Sequence, residues 1–304
     1  MLDLRQVSKT YRVGAFGGRR LHAVRGVDFS VRPGEVVSLI GESGSGKSTI
    51  GKMVLRLISA SSGTIAFEGA DIAGLRGHAR TKEYYSRVQG VFQDPFSCFN
   101  PIFPADRVFE LVRAEYAGAV SQAHWRARVE DALTTVGLDP AQVLGKFPHQ
   151  LSGGQLQRLL IARALLLDIR MLVADEIISM LDASTRIDVL NLLGDLKARG
   201  LGILFITHDL SLGNYISDTA VILRRGRVVE RGATSAAFSA PAHPYTRRLL
   251  ASVPQLHTSW QQADARLAQE GEGECPGCAA GGRPGEHGPV DLADDHAVGC
   301  YTAA

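Results

Sequence analysis

The sequence predicts an α/β protein built on a mainly parallel sheet, and three stretches carry that prediction. "GEVVSLIG" (34–41) is an apolar strand that runs into a glycine loop, and "KSTIGKMVLRLI" (47–58) follows with helical spacing. "MLVAD" (171–175), "STRIDVLNLLGDLKARG" (184–200) and "GILFITHD" (202–209) then repeat strand, helix, strand. "TAVILRRGRVVERG" (219–232) reads as a hairpin turning at Arg225-Gly226. Apolar strands alternating with amphipathic helices require a sheet covered on both faces.

Between about 95 and 165 the chain turns helix-rich, with prolines at the borders, which suggests a helical subdomain inserted between two strands. The domain reading is therefore 1–235 for the main domain and 236–304 for an extension. In the extension, "SAPAHPYTRRLLASVP" is a short helical segment, with Pro244 suited to a first helical position. From 270 onward the chain is rich in Gly, Ala and acids and nearly free of large apolar residues. Such a tail buries little and is expected to be mobile unless something binds its cysteines.

The bulk properties exclude several classes. Hydrophobic residues at 45% and charged residues at 21% describe an ordinary globular protein. A net charge of +2 gives no reason to expect a nucleic-acid or membrane-surface binder. No apolar run approaches the roughly 20 residues that span a bilayer, and the first residues lack the layout of a secretory signal. Four cysteines, three of them at 275, 278 and 300, do not form a disulfide framework. These features fit a cytoplasmic location.

The chemistry begins in the loop after the first strand. "GESGSGKST" (41–49) matches G-x-x-x-x-G-K-[ST] in the required strand–loop–helix setting. Gly41, Gly44 and Gly46 let backbone N–H groups, with those of Ser43 and Ser45, turn toward phosphate oxygens. The following helix adds its positive end. Lys47 reaches the β- and γ-phosphates, and the hydroxyl of Ser48, beside Thr49, suits Mg²⁺. The expected ligand is a nucleoside triphosphate.

"VADEIISMLD" (173–182) supplies the acids. Asp175, at the end of an apolar strand, fits the carboxylate that holds Mg²⁺. Glu176 fits the general base that activates water. An acid pair favoured by a helix N-terminus is the plainer alternative.

The segment "LSGGQLQR" (151–158), read with the phosphate loop, resembles the nucleotide-binding subunits of ABC transporters. Tyr11 in "SKTY" corresponds to the aromatic that stacks on adenine, and Gln93 in "FQDP" to the Q-loop glutamine. "SMLD" with Asp182 matches the D-loop, and His208 in "FITHD" the switch histidine. The resemblance spans roughly 2–232. It implies a RecA-like core with an antiparallel β subdomain and an inserted helical subdomain. It also implies catalytic roles for Lys47, Gln93, Glu176 and His208, and Mg²⁺ held by Ser48, Gln93 and Asp175. In such proteins Ser152, Gly153, Gly154 and Gln155 close on the ATP of a head-to-tail partner. The family usually has proline where Ile177 stands; losing that ring frees the backbone after the base, with the acids intact.

"FQDPFSCFNP", "FPHQLSGGQ" and above all "HPYTRRLLASVP" resemble the ATPases of oligopeptide and dipeptide importers, a group that includes nickel and oligosaccharide importers. That implies a second ATPase subunit, usually different from the first. It also implies two permease subunits, an extracytoplasmic solute-binding protein, and a peripheral place on the cytoplasmic face of the membrane. A soluble ABC-type ATPase of DNA repair or translation is the rival class. The stretch between phosphate loop and LSGGQ carries no heptad run, and there is one cassette, not two.

Cys275, Cys278, His296 and Cys300 make a C-x₂-C…H-x₃-C pattern. "DDHAVGC" resembles the cysteine-rich ending of such importer ATPases, some of which hold an iron–sulfur cluster. Three thiolates and an imidazole suit a [4Fe–4S] cluster or Zn²⁺, and an empty tail remains the third reading. Cys98 is expected to be a packed small side chain.

Overall fold

A computed structural model describes residues 1–14, 18–252, 275–279, 289–293 and 296–301. Val253 and Pro254, which close the "HPYT…ASVP" stretch, lie outside them. The chain forms two compact units, residues 1–74 with 204–304, and residues 75–203. This division does not follow the 1–235 and 236–304 boundary read from the sequence: residues 236–252 and the described tail share a unit with the hairpin at 219–232.

The first unit opens with β1 (Leu2–Val13), β2 (Arg19–Val31), β3 (Val36–Ile40), α1 (Lys47–Val54), β4 (Ser62–Phe67) and β5 (Ala70–Asp71). The second holds α2 (His78–Arg87), β6 (Val88–Val91), α3 (Arg107–Tyr116), α4 (Gln122–Thr135), α5 (Pro140–Val143), α6 (Gly153–Leu165), β7 (Met171–Asp175) and α7 (Ala183–Ala198). The boundary falls within β8 (Gly202–Thr207). The first unit then continues with α8 (Leu210–Ile216), β9 (Thr219–Arg224), β10 (Arg227–Ala233), α9 (Thr234–Ser239), α10 (Pro244–Ala251), α11 (Pro276–Ala279), β11 (Val290–Ala293) and β12 (His296–Val298).

In the first unit one sheet is antiparallel, in the order β2-β1-β4-β5. Its inward face carries Leu2, Leu4, Val7, Val24, Val27, Phe29 and Val31, all buried. In the other sheet β3 pairs in parallel with β9, and every residue of β3 is buried. A run with no polar alternation is what a parallel strand covered on both faces needs. The expected hairpin is present: β9 and β10 are antiparallel, joined by Arg225 (φ 49°) and Gly226 (φ 82°). Two successive positive φ values match a hairpin turn whose twist agrees with its strands.

The tail extends this sheet instead of staying apart. β12 pairs antiparallel with β10, with Glu230 opposite Val298 and Arg231 opposite Ala297, and β11 pairs with β12. His296, Ala297 and Val298 are all buried. The expectation of a tail that buries little is corrected in these residues. A short apolar strand has found an open sheet edge, which supplies the backbone partners that composition alone does not reveal.

In the second unit β6 and β7 are parallel neighbours. α4 packs with α6, and Trp125, Val129 and Leu133 are buried with Leu156, Leu159 and Leu160. Among the described residues, no helix is long and apolar enough to cross a membrane.

Candidate functional site

The phosphate loop lies between β3 and α1, and its glycines are there for space. Gly41 (φ 155°) and Gly46 (φ 109°) have backbone conformations that side chains rarely adopt. A β-carbon on Gly41 would fall 2.2 Å from the carbonyl oxygen of Leu223, and one on Gly46 2.5 Å from that of Ala23. Gly44 is unobstructed and owes its glycine to φ alone, at 78°. The loop is also held from outside: Gly226 N–H donates to Ser45 O at 2.9 Å. Ser45 N–H donates to Glu42 O at 3.1 Å.

Lys47 begins α1 and is buried, with its ammonium donating to Gly41 O at 2.7 Å and to Glu42 O at 2.9 Å. A buried ammonium held against the loop carbonyls brings positive charge to the phosphate loop, which suits a site for an anion. The N-cap, Gly46, offers no side chain to the first-turn N–H groups. Ser45 Oγ is buried without a hydrogen-bond partner among the described residues. Ser43 is exposed; Ser48 and Thr49 are half-buried. A helix N-terminus with no side-chain cap, an orphan hydroxyl and a buried cation fit a bound polyphosphate.

Tyr11 is half-buried on β1, with the Lys9 ammonium 5.2 Å from its ring centre. His208 is exposed after β8, next to Asp209, whose carboxylate caps α8 by accepting from Ser211 N–H at 2.9 Å.

In the second unit Asp175 ends β7 and is buried, while Glu176 follows with φ 52°. Glu176 O accepts from Ser179 N–H at 3.1 Å and from Ser179 Oγ at 2.8 Å, which fixes the turn after the acids. Ile177 is 1% exposed. Packing therefore restrains the backbone at the position where the sequence reading expected freedom from the missing proline ring.

Ser152 caps the signature helix α6. Its Oγ accepts from Gln155 N–H at 3.2 Å, and Gln155 Oε1 accepts from Ser152 N–H at 2.9 Å, a reciprocal capping box. Gly153 is half-buried at the first turn and Gly154 is buried against Thr185. Asp182 caps α7: its carboxylate accepts from Ser184 Oγ at 2.6 Å, Thr185 N–H at 3.0 Å and Thr185 Oγ1 at 2.8 Å. Those bonds hold the carboxyl well below the usual carboxylate range.

Gln93 is exposed in the segment after β6. One residue earlier, Phe92 O accepts from Gln157 Nε2 at 3.3 Å, so the signature helix grips the start of the Q-loop. Gln157 is fully buried. The sequence reading passed over it, although a glutamine on the Leu156–Leu160 face of a helix was a visible signal. Cys98 is exposed, not packed, because it sits on the single turn Phe96–Cys98 after Pro95.

In the tail, Cys275, Cys278 and Cys300 come together, with all three sulfurs within 4.8 Å of one another. Cys275 and Cys278 are buried. The Cys300 sulfur is 3.5 Å from that of Cys275 and 3.7 Å from that of Cys278. His296 is not brought into this group. Its Nε2 lies 2.8 Å from Oε1 of Glu230, a carboxylate with no exposed surface.

A glycine cradle with a buried lysine, and a strand-end Asp-Glu pair with a capped LSGGQ helix, define an ATP-hydrolysing cassette. Residues 24–179 match the family described as "ABC transporter", and the chain belongs to that family. Residues 229–279 match "Oligopeptide/dipeptide transporter, C-terminal region". A Brucella ovis protein named as a peptide import ATP-binding protein is 40% identical over 255 residues, covering 84% of this chain and 78% of its own length. A Sinorhizobium fredii protein named as a peptide ABC transporter ATP-binding protein is 38% identical over 301 residues, covering 93% and 83%. Among solved structures, a dimeric ATP-binding cassette in a post-hydrolysis state with ADP and Pi superimposes with a TM-score of 0.69. It is 30% identical, over 77% of this chain and 99% of that one. ATP is the substrate that this family hydrolyses, and Mg²⁺ its metal.

Proposed function

We infer that this chain is the ATP-hydrolysing subunit that powers a peptide importer. The observation that carries the finer reading is the C-terminal match at 229–279, which begins in β10 and contains the whole of α10. Importers of oligosaccharides or nickel are the alternative. The partners in this reading are a second, different ATPase, two permease subunits and an extracytoplasmic binding protein. The chain then sits peripherally on the cytoplasmic face. Phe96, Ile102 and Leu111 are exposed in the second unit and offer apolar surface for a permease helix.

The residue roles follow from the chemistry. Tyr11 stacks the adenine. Gly41, Ser43, Gly44, Ser45, Gly46 and Thr49 bind phosphate, and Lys47 neutralises it. Ser48, Gln93 and Asp175 are the magnesium-directed groups; Mg²⁺ when bound would screen the phosphate charge. Glu176 takes the proton of the attacking water, and His208 contacts the γ-phosphate. Ser152, Gly153, Gly154 and Gln155 serve the partner's ATP, with Asp182 at the same interface. In this reading the ATPase runs over 1–235 and the importer-family extension over 236–304.

The three-cysteine group fits a metal by its donor chemistry. Separations of 3.5 and 3.7 Å match the edge, about 3.8 Å, of a tetrahedron with 2.3 Å zinc–sulfur bonds. A [4Fe–4S] cluster would spread the sulfurs further apart. Metal analysis of anaerobically purified protein with absorption near ~400 nm separates the two, since zinc is colourless there and a cluster is not. The function itself is tested by reconstituting the chain with its co-purifying permeases. Peptide-stimulated ATP hydrolysis supports the reading, and stimulation by nickel or oligosaccharide alone rejects it.

A further inference from the structure

The C-terminal extension reaches the phosphate loop. Glu42 N–H, in the loop, donates to the hydroxyl of Tyr245 at 3.2 Å. The other side of the Glu42 residue is also engaged, since its carbonyl accepts from Ser45 N–H and from the Lys47 ammonium. Tyr245 is thus hydrogen-bonded to the residue on which the loop and its lysine both lean.

Tyr245 is fixed in turn by its surroundings. It is buried with Ala220, Ile222, Val229 and Ala237. The Arg224 guanidinium lies 5.0 Å from its ring centre. Its N–H donates to Nδ1 of His243 at 3.0 Å, and this bond caps α10.

The N-terminus of α10 is anchored on Glu230. That carboxylate accepts from Ala242 N–H at 2.8 Å and His243 N–H at 3.0 Å. Two neutral donors are a thin return for a fully buried carboxylate. The third group on it, His296, arrives from the tail. The tail contributes again through Tyr301, whose ring meets that of His243 edge-on at 5.2 Å. Cys300, of the three-cysteine group, is the residue before Tyr301.

We propose that Tyr245 is a positioning residue for the phosphate loop, and that the docked tail holds it in place through Glu230 and His243. ATP affinity then depends on how the tail is seated, and the cysteine group lies where its occupation would decide that seating. The inference rests on the phosphate loop being the nucleotide site.

The test uses the full chain, with ATP binding measured by calorimetry and amide exchange measured at Glu42. Tyr245→Phe keeps the ring and removes one hydroxyl. Its expected effect is an affinity about three- to tenfold weaker, with faster exchange at Glu42 and a melting temperature lowered by no more than about 2–4 °C. His296→Ala should weaken ATP binding similarly, and His296→Gln, which retains a donor, should restore most of it. The double variant Tyr245→Phe/His296→Ala should be no weaker than the worse single variant. Unchanged affinity and exchange in Tyr245→Phe would overturn the proposal, and fully additive losses would overturn the link to the tail. Lys47→Ala is the control: ATP binding that survives it rejects the nucleotide site itself, whereas loss there with none in Tyr245→Phe rejects the tyrosine alone.

Discussion

Gly154 of the signature helix abuts Thr185 of α7 so closely that a β-carbon on the glycine would lie 2.5 Å from Thr185 Cγ2. The threonine has nowhere to turn, because its Oγ1 is bonded to Asp182 at 2.8 Å. The helix that opens at LSGGQ and the helix that follows the D-loop are therefore in direct van der Waals register.

Gly154→Ala should destabilise the protein by about 1–3 kcal/mol through overpacking. Thr185→Ser keeps the hydroxyl and deletes the obstructing methyl, so the pair Gly154→Ala/Thr185→Ser should recover most of the loss. Urea titration of the two variants measures this; equal stability of single and double variants would contradict the close approach.

Glu176→Gln should bind ATP normally and lower its hydrolysis by about 10²- to 10⁴-fold, the range expected for loss of a general base. Turnover by the reconstituted complex is the measurement. Undiminished hydrolysis would remove Glu176 from the role.

Lys47→Ala should weaken ATP binding at least about tenfold, the worth of one charge-assisted hydrogen bond. It also strips two loop carbonyls, those of Gly41 and Glu42, of their shared donor. Calorimetry without turnover separates binding from chemistry.

His243 is buried, and burial, followed by the charges of Arg224, Arg248 and Arg247, pushes its pKa down to about 4. The unfolded chain has its histidine near ~6.5 and so binds the proton first. Stability is therefore full above pH ~6.5 and falls as the pH drops from ~6.5 to about 4, by up to ~1.4 kcal/mol per pH unit. His243→Asn preserves an acceptor for Tyr245 N–H and should flatten this acid limb in thermal melts at pH 7 and pH 5.

Most of the core was readable from the sequence because its strands are continuous apolar runs: β3 and β7 have no exposed residue. The phosphate loop and LSGGQ were equally plain, since both need fixed residues at fixed spacing. Glu230 was not. A bulge between Val228 and Glu230 breaks the alternation of β10, so Val229 and Glu230 are both buried, and simple period-two reading turns one of them outward. The partner of His296 was not legible for a related reason. Its spacing from Cys300 suits a metal ligand, but strand pairing directs it to Glu230, a partner 66 residues away in the chain.

The turn at Arg225-Gly226 looks like an ideal place to graft a tag or an epitope, being a short hairpin tip beside an exposed arginine-rich strand end. It is a poor one. Gly226 gives its N–H to Ser45 O, takes that of Arg25, and sits so close to the Ala23 carbonyl that an added β-carbon would lie 2.7 Å from its oxygen, a clash. Inserted residues there would lever the phosphate loop from behind. Fluorophores and affinity handles for this subunit belong elsewhere, and an insertion scan that finds this tip intolerant would be detecting the nucleotide site from its reverse side.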